Sequence, residues 1–208
     1  MKAKSIVEVL SELDEEFAWR RKELTVVWGD VKSAKYEVKP AHMRAATAML
    51  YAHWEGFVRA ASETYVSFVS SKRLRHTQLC DGFFALALRA KLNELASQND
   101  VAAHINFANF LRNGLDSRAK ISQLRAIQTG ANLSSRRLKS IILTLGLDYS
   151  PFELKENMID AQLLNWRNTI AHGKWSCPKE EDLALLYQEI PSLLRNFNDV
   201  PPRKWTGE

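Results

Sequence analysis

An all-α helical bundle is the fold this sequence predicts, on three observations. Apolar residues recur at helical spacing along most of the 208 residues. Only 8 Gly and 6 Pro are present, too few for the many tight turns of a sandwich or barrel. Helix start and stop signals bracket the periodic stretches. A chain of this length hides most of the apolar surface that its unfolded form exposes, so it can build a sizeable core.

Residues 4–28 read as a long helix. Glu8, Glu12, Asp14, Glu15 and Glu16 come early and Arg20, Arg21 and Lys22 follow, the order the helix dipole favours. Gly29-Asp30 reads as its end, and a polar connection leads to Pro40, which suits a first helical turn. Met43, Leu50 and Phe57 then repeat every seven residues, as do Thr47, Trp54, Ala61 and Phe68. This double stripe predicts a helix of roughly 30 residues with one buried seam, and it assigns Trp54 and Phe57 to the core. Further helices are expected at 81–97, carrying Phe84, Leu88, Leu92 and Leu95, and at 101–111. Two small ones, at 117–127 and 134–145, flank Gly130-Ala131-Asn132.

Ser150-Pro151-Phe152-Glu153 looks like a helix opening, with Ser as cap, Pro in the first turn and Glu closing a capping box. That helix should run to His172, where Gly173 supplies a left-handed terminator. Pro178 opens the last helix, with Glu180, Glu181 and Asp182 in its first turn and Pro191 as a candidate kink. Its apolar face is Leu183, Leu186, Tyr187, Ile190, Leu194 and Phe197. Residues 1–200 thus read as one domain with a basic helical insertion at about 112–140, and residues 201–208 as a frayed tail.

Charge is spread unevenly. Arg112, Arg118, Lys120, Arg125, Arg136, Arg137 and Lys139 face one acid, Asp116, so this segment carries +6 of a total +5 and the remainder −1. A polyanion-binding face would explain it; so would a solvated helix pair. Cys80 and Cys177 are far apart, match no metal spacing and read as reduced thiols. His42, His53, His76, His104 and His172 do not pair at ligand spacings, so neither a metal nor a cofactor is implied. GxxxxGK[ST], GxGxxG, HExxH and a Ser-centred elbow are all missing, which removes the enzyme classes that carry them. The first 20 residues carry acids throughout, and the longest uncharged run, 101–111, is too short to cross a bilayer. A cytoplasmic protein with no membrane association is expected.

One stretch stands apart, WRNTIAHGKW at 166–175. Arg167 and His172 are five positions apart, a spacing that a regular helix separates around its axis. Where a helix ends, that separation relaxes and both side chains can reach one cleft. Imidazole suits general acid–base work. A guanidinium grips a phosphodiester through its fork of donors and stabilises charge on a pentacovalent phosphorus. Together they suit RNA cleavage by the ribose 2′-OH, with no metal. A histidine near a helix C-terminus also simply complements the dipole, and R-x4-H is common by chance.

The surroundings sharpen this. LLNWRNTIAHG resembles the signature of the HEPN superfamily, in which Arg, a following polar residue (often Asn) and His form an R-x4-6-H motif. MLYAHWEGFVRAASETYVSFV, residues 49–69 with YAHWE at 51–55, is similar to the long second helix of the RiboL-PSP-HEPN branch. The resemblance implies a four- or five-helix bundle that dimerises, bringing two motifs into one composite ribonuclease site. Such proteins typically serve as toxins or abortive-infection effectors against phage. Carried onto this chain, Arg167 is the phosphate clamp, His172 the general acid/base and Asn168 the residue that orients them. RNA is the implied substrate, a homodimer the implied assembly, and an antitoxin or regulatory partner is admitted.

Glu55 and His53 form a second tier: an acid on the second helix could hold Arg167 or His172, or Glu55 could pair with Arg59 at i,i+4 on a solvent face. Lys174, Arg136 and Arg137 are candidate RNA contacts. Two other readings compete with the ribonuclease, a noncatalytic HEPN module partnering a nucleotidyltransferase or other effector, and a purely structural bundle. The complete motif favours catalysis over the first, and the +6 segment disfavours the second.

Overall fold

The computed structural model describes residues 5–97, 100–121, 127 and 132–196. Helix α1 spans Ile6–Ser33 and α2 Lys39–Ser71; a short 3-10 turn, His76–Gln78, leads into α3 (Asp81–Ser97) and α4 (Val101–Asn113). Helix α5 (Ser135–Thr144) and the single turn α6 (Ser150–Glu153) follow. A π-helical stretch, Met158–Leu164, runs directly into α7 (Asn165–Ala171), and α8 (Glu180–Arg195) closes the fold. The described secondary structure is all-α, as the periodicity requires.

The long α2 is the spine. Its two seven-residue stripes, from Met43 through Thr47, Leu50, Trp54, Phe57 and Ala61 to Phe68, are all buried. Helix α1 lies antiparallel to it: Phe17 meets the Phe57 ring edge-on at 6.1 Å, and Glu23 reaches His53. Helix α8 runs parallel to α2, with the Lys39–Glu180 pair at 2.6 Å and the Tyr187 hydroxyl donating to the Ala46 carbonyl at 2.9 Å. Helix α7 runs antiparallel on another face of α2. Helices α3, α4 and α5 pack at the far end, joined through α3. The 115–121 segment is tied to the end of α2 by the Ala119 N–H on the Leu74 carbonyl (2.9 Å) and the His76 ring on the Ser117 carbonyl (2.9 Å).

Several expected boundaries move, each for a local reason. Helix α1 continues through Gly29-Asp30 to Ser33. A glycine inside a helix costs about 1 kcal/mol, and burying Val31 outweighs it, at roughly 1.5–3 kcal/mol. On α3 the buried side chains are Phe83 and Leu88, whereas Leu92 is 44% exposed. Residues 117–121 are not helical because their backbone bonds to the 74–76 stretch; 122–126 and Gly130-Ala131 lie outside the described residues. Ser150 does not close a capping box with Glu153. Its N–H and hydroxyl instead reach the Asp148 carboxylate at 3.0 and 2.6 Å.

The single helix expected over 150–172 is broken. A turn at Leu154-Lys155 interrupts it, and the π-helical stretch follows. Wider turns there let Met158, Ile159 and Leu163 all bury, while Asp160 accepts the Ser135 N–H and hydroxyl at 2.7 and 2.6 Å. In α8, Leu183, Leu186, Tyr187, Ile190 and Leu194 are buried as expected, joined by Leu193, and the helix passes through Pro191 to Arg195. Pro178 precedes it, with Lys179 as the cap residue. Phe197 and the tail at 201–208 lie outside the described residues.

Candidate active site

The end of α7 is built by a Schellman closure. The Gly173 N–H bonds the Ile170 carbonyl and the Lys174 N–H bonds the Thr169 carbonyl, both at 3.0 Å. Gly173 has φ +72°, a left-handed conformation that glycine adopts without steric cost. This closure leaves His172 as the C-cap residue, exposed, with its backbone N–H on the Asn168 carbonyl. Its ring makes no hydrogen bond to the described residues.

Arg167, one turn back, is half-buried and held from three sides. Its Nη1 donates to Asn132 Oδ1 at 2.9 Å and to Asn168 Oδ1 at 2.8 Å. Its guanidinium carbon sits 4.7 Å from the centroid of the Tyr51 ring, a cation–π contact. A guanidinium has five N–H groups. Both hydrogen bonds leave from Nη1, so Nη2 and Nε keep their N–H groups unbonded among the described residues.

Tyr51 is the floor under this arginine. It is buried, and its hydroxyl accepts the Leu133 N–H at 2.6 Å. Burial pushes its phenol up to about 12; the neighbouring Glu55 charge and the hydrogen bond to Glu55 act the same way, while Leu133 and Arg167 pull it down. The phenol therefore stays protonated and donates to Glu55. Glu55 also accepts from Arg59 at 3.1 Å and is only 13% exposed. Tyr51, Ala52, Glu55, Arg59, Arg167 and Ala171 are among the residues enclosing a cleft of about 410 Å³ between α2 and α7.

The structure thus joins Arg167 to Asn168 and sets Glu55, paired with Arg59, on the wall of the same cleft, whereas His172 stands at the C-cap of α7 and is not among the residues lining that cleft. His53 is placed elsewhere. Two residues from Tyr51 on a helix means nearly the opposite face, and its ring packs on α1, with Nε2 2.9 Å from Glu23 and an edge contact to Trp19. It is therefore not among the residues around Arg167. Lys174 is exposed just past the closure. Arg136 and Arg137 lie on the first turn of α5, four and five residues beyond Asn132, and line a groove of about 1040 Å³ between α3 and α5 together with Arg89. Sequence reasoning missed Tyr51 and Asn132 as partners of the motif. Tyr51 is detectable from its i,i+4 spacing to Glu55; Asn132 carries no sequence signal.

A family model described as RiboL-PSP-HEPN matches residues 15–200. The chain belongs to the RiboL-PSP-HEPN family. No curated protein and no solved structure matches the chain. Family membership assigns the bundle as a HEPN module, and the α7 terminus carries the R-x4-H stretch within it. Among the described residues no group of three or more His, Cys, Asp or Glu is placed to hold a metal ion, and no helix is long and apolar enough to cross a membrane.

Proposed function

We propose that this HEPN module is a metal-independent endoribonuclease, acting as a toxin or phage-defence effector in the cytoplasm. The observation that carries the reading is the state of the motif: Arg167 is pre-positioned by Asn132, Asn168 and Tyr51 with donors to spare, and His172 stands exposed at the C-cap of the same helix, five residues on. Pre-positioned donors aimed at developing charge are worth more than mobile ones, because nothing reorganises when the charge appears. In the proposed reaction the ribose 2′-OH attacks its own phosphorus and loses its proton to a base. The P–O5′ bond breaks, and the departing 5′-oxygen takes a proton from an acid. The products are a 2′,3′-cyclic phosphate and a 5′-hydroxyl. Arg167 binds the phosphate oxygens, whose charge grows at the pentacovalent stage. Asn168 holds the guanidinium in register.

One histidine supplies one proton-transfer group, whereas this step uses two. A two-fold homodimer with the α7 termini near its axis supplies both, since an isologous contact sets a patch opposite its own copy. Arg136, Arg137 and Lys174 bind the flanking RNA backbone, and an antitoxin or regulatory partner restrains the site. Expression of the wild type and of His172→Ala in cells, with growth and RNA integrity compared, tests the reading. Growth arrest and RNA breakdown with the wild type alone support it; equal behaviour of the two overturns it.

A further inference from the structure

Just past the motif stands a side chain that the catalytic reading does not use. Trp175 is 76% exposed, the most exposed tryptophan among the described residues, whereas Trp54 is fully buried and Trp28 and Trp166 pack on the core. Exposing an indole to this extent sacrifices burial that Trp28, Trp54 and Trp166 gain. The loop that carries it is nonetheless fastened. The Lys174 N–H is bonded to Thr169, Cys177 Sγ lies 4.0 Å from the Pro40 carbonyl, and Pro178 is buried. Arg44 covers Trp175 from α2, with its guanidinium carbon 5.1 Å from the ring centroid.

Arg44 also lines up with the cleft. Positions 44, 48, 51/52, 55 and 59 follow helical spacing, so Arg44, Ala48, Tyr51, Ala52, Glu55 and Arg59 share one face of α2. From Ala48 onward these residues line the cleft that holds Arg167. Seven residues of helix separate Arg44 from Tyr51, about 10 Å along the axis, the length of about three stacked nucleotides. Along that path the alanines keep the floor low. A flat, fastened aromatic ring with an arginine against it, one short step from a phosphate clamp, has the make-up of single-strand nucleic-acid platforms.

We propose that Trp175 and Arg44 form a nucleobase-stacking subsite that seats an unpaired base of the RNA about three nucleotides from the scissile phosphate. This rests on the ribonuclease reading of Arg167 and His172, and it adds the class of substrate: single-stranded RNA, gripped by a base and not only by its backbone. Stacking tolerates any base, so the subsite selects for unpaired strands more than for sequence.

The test uses the full chain in the non-cleaving His172→Ala background, so that binding is read without chemistry. Fluorescence anisotropy measures affinity for a labelled single-stranded oligoribonucleotide and for the same oligomer with abasic positions. Replacing Trp175 by Ala should weaken binding of the normal oligomer by roughly five- to 150-fold, leave the abasic oligomer nearly unaffected, and be rescued by Trp175→Phe. Unchanged affinity in Trp175→Ala, or an equal loss on both oligomers, would overturn the subsite. So would a Trp175→Ala chain that binds less because it no longer self-associates by light scattering, which would assign the indole to a contact between copies. Cleavage by the wild type, assayed alongside, separates the two claims. A chain that cuts RNA while Trp175→Ala binds normally loses only the subsite, whereas a wild type that neither binds nor cuts RNA loses the ribonuclease reading with it.

Discussion

Tyr51→Phe removes one oxygen and keeps the ring, which makes it the sharpest probe of how Arg167 is held. The lost hydroxyl accepts the N–H of Leu133, and both residues are buried. Leaving that buried N–H without its acceptor costs about 1–3 kcal/mol. In a chain of this size each kcal/mol moves Tm by about 2–4 °C, which predicts a fall of about 2–12 °C. The guanidinium keeps its aromatic floor, but Asn132, next to the released Leu133, loses the anchor that presents its Oδ1 to Arg167. If about 1 kcal/mol of positioning is lost, cleavage slows roughly fivefold. Thermal unfolding by circular dichroism and a single-turnover RNA cleavage assay read the two effects. Asn132→Ala should slow cleavage similarly, and the double variant should be less than additive because both changes act on one chain of contacts. A Tm equal to that of the wild type, or fully additive rate effects, would refute the linkage.

Replacing Arg136 and Arg137 by Gln should weaken RNA binding and flatten its salt dependence by about 0.7 per lost phosphate contact; an unchanged slope in a salt titration would make the α5 surface a solvated face. Mixing Arg167→Ala with His172→Ala chains should restore part of the activity through heterodimers that hold one intact pair, and an active chain that stays monomeric by light scattering would remove the composite site. His53 gives a pH signature of folding. Burial holds its pKa down, opposed by the Glu23 charge and reinforced by Arg20. The folded state thus favours neutral imidazole, so this stability is present above about pH 6.5 and is lost as pH falls through the lower folded value. Between about pH 7.5 and about pH 5 the wild type should therefore lose more Tm than His53→Gln; parallel curves would contradict that.

Local pattern carried the elements that local physics decides. The α2 seam from Met43 to Phe68 is legible because a buried helix must repeat its apolar face. Gly173 is legible because few residues accept φ +72°. Elements decided by distant contacts were not. Val31 draws α1 past Gly29 because α1 packs there, and the turn at Leu154-Lys155 and the π-helical stretch answer to Asp160 meeting Ser135, 25 residues away. The site divides in the same way. Arg167, Asn168 and His172 sit together in one stretch, and Glu55 beside Tyr51 follows from helical spacing. Asn132 is 35 residues from Arg167 and Leu133 is 82 from Tyr51, so no period connects them. His53 was drawn in by its closeness to Glu55 in sequence, although the same helical geometry turns it toward α1.

The central claim is that Arg167 and His172 cut RNA by internal transphosphorylation. Its most direct measurement incubates purified wild type, Arg167→Ala and His172→Ala with RNA in excess EDTA, with product ends identified by mass spectrometry. Wild type should cleave to 2′,3′-cyclic phosphate and 5′-hydroxyl ends. Each variant, folded by circular dichroism, should be slower by at least roughly 10²- to 10⁴-fold. A folded His172→Ala chain that cuts at the wild-type rate, or wild-type cleavage that stops on chelation, would contradict it.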